Sequence, residues 1–138
     1  MDASASLLLV EPIVLGRLAM GETVHSGLLH DHWRVKRAGK LCFADETRLA
    51  DFDALRAPAS LGKARAMATV LFVDPMAEAL AARLRDVAPH ADVTTGISAW
   101  NGQLVIRTLS ANPPALRAAL MKFVELIRGR DLPRVWTM

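Results

Sequence analysis

Residues 65–73 read Arg-Ala-Met-Ala-Thr-Val-Leu-Phe-Val, and this run constrains the fold more than any other stretch. It is nearly continuously apolar, rich in β-compatible side chains and of strand length, which predicts a strand covered on both faces. It is far shorter than the ~20 residues a bilayer-spanning helix requires. Asp74-Pro75 follows, with the aspartate suited to a helix N-cap and the proline to the first helical position. Ala77, Leu80, Ala81, Leu84, Val87 and Ala88 then recur along one helical face, and Pro89 ends the pattern. A strand buried on both sides followed by a one-faced helix calls for a layered sheet-and-helix core.

The rest of the second half fits that plan. Val93, Thr95, Ile97 and Ala99 alternate with Thr94, Gly96, Ser98 and Trp100. Asn101-Gly102 is the strongest hairpin dipeptide in the chain, and a two-residue turn there pairs Ala99 with Leu104 and Ile97 with Ile106. Asn112-Pro113 opens a second helix whose buried stripe is Leu116, Leu120, Phe123, Val124 and Ile127, closed by Gly129. Residues 132–138 are expected as a tail forming a final edge strand, with Pro133 limiting its pairing. Residues 63–138 thus read β-α-β-β-α, with two amphipathic helices on a mainly antiparallel sheet.

Residues 1–62 read as a strand-rich segment. Leu7–Val10 is short and apolar. Gly16 and Gly21 bracket a break, and Thr23–His30 is expected as a strand with a bend at Gly27. Residues 31–37 and 40–46 flank Ala38-Gly39, a two-residue turn. In that register Trp33, Val35, Cys42 and Ala44 share the core face, leaving Cys42 buried, while Asp45 sits across from His32. Asp51–Arg56 is expected as one helical turn, ended by Pro58. The fold class is strand-rich α+β, and 138 residues suffice for a single domain.

A lone cysteine excludes an internal disulfide framework and a multi-cysteine zinc site. The net charge of +3 permits an acidic partner, but the basic residues are scattered apart from the cluster Arg34–Lys40. The chain has no tyrosine and no aromatic residues interleaved with that cluster, which disfavours a base-stacking surface. The reading is therefore no nucleic acid and no membrane, with a cytoplasmic location.

No enzyme signature is present: no Walker loop, no GxGxxG, no HExxH and no GxSxG. In GRLAMGE, residues 16–22, Arg17 and Glu22 are suited to an ion pair fixing a bend or to a partner contact. His30 and His32 lie two apart and so share a strand face, which makes them the candidate metal ligands. Trp100, beside a hairpin tip, is the tryptophan expected to be exposed and to favour protein contact.

These pieces carry a family resemblance. Leu15-Gly16-Arg17, Ala19-Met20-Gly21-Glu22, Trp33-Arg34-Val35, the strand from Ala66 to Val73, residues 96–105 (GISAWNGQLV) and the ending Leu132-Pro-Arg-Val-Trp136 together resemble the urease accessory protein family UreD, also called UreH. The resemblance implies a non-catalytic scaffold that assembles with UreF and UreG on the urease apoprotein and assists nickel insertion. It implies a sheet winding into a helical β arrangement with two helices attached, and no tightly bound cofactor, nickel being transient. A passage for nickel is a proposed family feature, for which Glu22 and Asp45 are the candidate lining residues, with Arg17 and Trp100 as candidate partner contacts. Members are about twice this long, so the chain is expected to be a C-terminal half that pairs with a partner or self-associates. Two other readings stand beside this one: a direct nickel metallochaperone using His30 and His32, and a small basic nucleic-acid-binding module using Arg34–Lys40.

Overall fold

The computed structural model describes residues 1–16, 25–87 and 90–137. The elements in chain order are β1 (Leu7–Val14), β2 (Leu29–Arg37), β3 (Lys40–Leu49), α1 (Phe52–Leu55), β4 (Ala66–Val73), α2 (Ala77–Arg85), β5 (Val93–Trp100), β6 (Gln103–Ser110), α3 (Pro113–Arg128) and α4 (Arg134–Thr137). They form two compact units: Met1–Ala5 with Leu15–Lys63, and Ser6–Val14 with Ala64–Met138. Both sheets are antiparallel, and the strand-rich α+β reading holds.

In the larger unit the strand order is β1-β4-β6-β5. The apolar run at residues 66–73 is the inner strand β4, in which every residue but Met67 is buried. One face of this sheet carries Val70, Phe72, Leu104 and Ile106 into a core completed by Ala77, Ala81 and Leu84 of α2 and by Leu116, Leu120, Phe123 and Ile127 of α3. The Asn101-Gly102 turn has φ of 50° and 71°, and the pairs Ala99↔Leu104 and Ile97↔Ile106 form as the dipeptide predicts.

β1 runs on through Pro12 to Val14 and pairs along its whole length with β4, from Leu7↔Val73 to Val14↔Ala66. The sequence pattern defines a strand only over Leu7–Val10. Pro12 is tolerated because β1 lies at the edge of this sheet, where one side of the ladder has no strand to bond. The Ser6 hydroxyl donates to Asp74 Oδ2, tying the start of β1 to the end of β4.

The helices follow their caps. Asn112 Oδ1 accepts from the Ala115 amide at 3.2 Å, and Gly129 closes α3 in the left-handed region at φ 62°. Helix α2 begins at Ala77, two residues later than expected. Asp74 instead closes a turn: its Oδ1 accepts from the Met76 amide at 2.7 Å and its carbonyl accepts from Ala77 at 3.0 Å. The tail is not an edge strand. Arg134–Thr137 is a single helical turn, α4, with Pro133 just before it, a position where the missing amide costs nothing. Arg117 of α3 donates to the Trp136 carbonyl and holds its guanidinium 6.0 Å from the indole centroid.

The smaller unit is the β2–β3 hairpin with α1. Asp51 Oδ1 accepts from the Ala54 amide, so the expected turn after Asp51 forms. The expected strand over Thr23–His30 is present only from Leu29; residues 17–24 lie outside the described residues.

The hairpin register departs from the simple alternation. Ala38-Gly39 makes the two-residue turn, but Lys36 pairs with Leu41 while Val35 pairs with Phe43. Cys42 is therefore an extra residue, a β-bulge, and every side chain beyond it changes face relative to unbroken pairing. Phe43, not Cys42, joins Val35 on the buried face. Cys42 is half-buried, with its thiol 3.3 Å from the Val35 carbonyl. Asp45 pairs with Trp33 and sits on the same half-buried face, so it does not oppose His32.

Candidate functional site

The exposed face of the hairpin carries the histidines. His30 and His32, both exposed on β2, have ring centroids 5.4 Å apart in an edge-to-face arrangement. Because the bulge shifts β3 by one residue, the acid across from His32 is Glu46. Its carboxylate turns diagonally to His30, with Oε1 2.5 Å from Nε2. The hydrogen bond from His30 holds the Glu46 carboxyl below its ordinary range, helped by the charges of His30, His32 and Arg34, while slight desolvation works the other way.

This cluster is an ion-paired polar surface. Among the described residues, no group of three or more His, Cys, Asp or Glu is placed to hold a metal ion. The two imidazoles come together as the i, i+2 spacing predicts, but Asp45 belongs to the other face. Glu46 is the residue the sequence reading missed. The signal for it was the apolar triplet Leu41-Cys42-Phe43, which breaks two-residue alternation and calls for an extra residue in β3.

The second candidate surface lies on the face of β5 and β6 opposite the α2–α3 core. Gly96, Ser98 and Trp100 alternate on β5, paired with Arg107, Val105 and Gln103 of β6. Gly96 has nothing within 4 Å of where a Cβ would stand. Two small residues beside a tryptophan and an arginine leave a depression of about 230 Å³ lined by Gly96, Ser98, Trp100, Val105 and Arg107. Trp100 is 42% exposed at its wall, as its place beside the turn predicts. A depression with an aromatic wall is suited to receive a protruding side chain of another protein. The remaining candidates, Arg17 and Glu22, lie outside the described residues.

Among the described residues no helix is long and apolar enough to cross a membrane. A family model described as UreD urease accessory protein matches residues 1–137. The urease accessory protein UreD of Rhizobium leguminosarum bv. trifolii is 43% identical over 141 residues, which cover 100% of this chain and 51% of that protein. That of Xanthobacter autotrophicus is 45% identical over 138 residues, 99% of this chain and 48% of the relative. Urease accessory protein UreD 2 of Methylorubrum populi is 45% identical over 137 residues, 96% of this chain and 46% of the relative. The chain spans about half the length of the curated relatives it matches. A family match over residues 1–137, and identities of 43–45% along nearly the whole chain, show that it belongs to the UreD urease accessory protein family.

Proposed function

We propose that this chain works in urease maturation as a cytoplasmic, non-catalytic scaffold that assists nickel insertion into the urease apoprotein. The observation that carries the reading is the match over residues 1–137 to the UreD family of urease accessory proteins. A scaffold acts by binding, and the Trp100 depression on the β5–β6 face supplies a surface of the right kind: an exposed aromatic wall beside small residues and an arginine. The partners in this reading are the urease apoprotein, UreF and the GTPase UreG. Nickel is cargo here, and Asp45, half-buried on β3, is the described candidate for a polar position along its route.

The test is co-purification. The chain is co-expressed with urease apoprotein, UreF and UreG, with and without a segment equivalent to the other half of its relatives, and urease nickel content is measured. Association with UreF or the apoprotein, together with increased nickel occupancy, supports the reading. Failure to associate in both arms overturns it.

A further inference from the structure

On the helix-bearing face of the larger unit, α2 and α3 leave part of β5 uncovered. Helix α2 has 9 residues and α3 has 16, which at ~1.5 Å per residue makes α2 about 10 Å shorter. Beyond the end of α2, Thr95 is exposed although its same-face neighbour Val93 and its cross-strand partner Thr108 are buried. On α3 the gap is lined by Ala119, Lys122 and Phe123, and the Ala119 side chain is too small to fill it. The result is a groove of about 370 Å³, within the ~300–1,000 Å³ of small-ligand pockets.

The lining is divided by chemistry. Leu84, Val93, Ala119 and Phe123, each buried, supply apolar surface. Arg85, His90 and Lys122 are exposed and supply the charged and polar groups, and among the described residues no Asp or Glu lines the groove. Arg85 is positioned by donating to the Ile97 carbonyl at 3.2 Å. His90 accepts the Asp92 amide at Nδ1, so its neutral tautomer carries the proton on Nε2 as a donor.

We propose that this groove binds a small amphipathic carboxylate, with an apolar body against Leu84, Ala119 and Phe123 and an anionic head met by Arg85, His90 and Lys122. Apolar burial supplies attraction without sign preference, and the cationic groups, with no acid among the described lining residues, select the anion. The site is separate from the Trp100 depression, which lies on the opposite face of the sheet, and does not rest on the scaffold reading.

Octanoate and octylamine, alike in tail and opposite in head charge, test it on the full chain by calorimetry and by methyl-resolved NMR. The expected result is saturable octanoate binding at least tenfold tighter than octylamine, with shifts centred on Leu84, Val93 and Ala119. Lys122→Glu, an exposed change, should weaken octanoate at least tenfold and narrow or reverse the preference. Ala119→Leu should abolish binding of both, with circular dichroism checking its fold. Equal affinity for the two probes overturns the proposal, as does octanoate binding unmoved by Lys122→Glu. Absence of any saturable carboxylate binding, the result expected of a groove that only docks a protein, also overturns it.

Discussion

Glu46 reaches diagonally across its strand pair to His30, its Oε1 2.5 Å from the imidazole Nε2, although the residue directly opposite Glu46 is His32 and the one opposite His30 is Arg48. Cross-strand diagonal neighbours lie within reach of long side chains, and here hydrogen bonding selects the diagonal partner.

The Glu46 carboxyl should therefore titrate below an ordinary glutamate. A carboxyl whose folded-state pKa is depressed stabilises the fold fully above its unfolded pKa, and that contribution disappears as pH falls through the folded value. Carboxyl-resolved NMR should place the Glu46 carboxyl below the ordinary glutamate value. In Glu46→Gln, the acid-side loss of hairpin stability should be shallower than in the parent protein. A Glu46 titration at the ordinary value would contradict the pairing.

The two hairpin turns offer a matched exchange. Ala38 and Asn101 both occupy the first turn position at positive φ, 49° and 50°, each followed by a glycine. Alanine pays a steric penalty there that asparagine largely avoids. Ala38→Asn should stabilise the protein by about 0.5–1 kcal/mol, and Asn101→Ala should destabilise it by a similar amount, read by denaturant unfolding.

Trp100 separates binding from folding. Its side chain is partly exposed at the wall of the β5–β6 depression. Trp100→Ala should change stability by no more than about 1 kcal/mol. It should weaken capture of the urease apoprotein or UreF about tenfold or more, or about 1.4 kcal/mol. Undiminished capture by a folded Trp100→Ala protein would remove this surface from the scaffold reading.

Leu120 tests the core of the larger unit. It is 1% exposed on α3 and belongs to the cluster shared with β4, β6 and α2. Leu120→Ala should cost about 2–5 kcal/mol, checked by thermal and urea unfolding, and Ala118→Ser on the exposed side of the same helix should cost less than about 1 kcal/mol.

The elements readable from the chain were those specified by near neighbours. Helix α3 has its cap at Asn112, its stripe from Leu116 to Ile127 and its stop at Gly129, all within eighteen residues. Asn101-Gly102 set the β5–β6 register because a two-residue turn leaves one pairing. Trp100 was readable as exposed for the same reason, and His30 and His32 share a face because strand side chains repeat every two residues.

The tertiary structure alone decided what depends on distant partners. Pro12 can sit in a strand only once β1 is known to be an edge strand against β4, nearly sixty residues away. The bulge at Cys42 is favoured because it turns both Val35 and Phe43 into the buried face, a gain local alternation does not count. That one-residue shift carried Glu46 to the histidines and Asp45 away from them. Periodicity along a chain encodes which face a residue prefers, whereas which groups meet is decided by how separate segments bury those faces together.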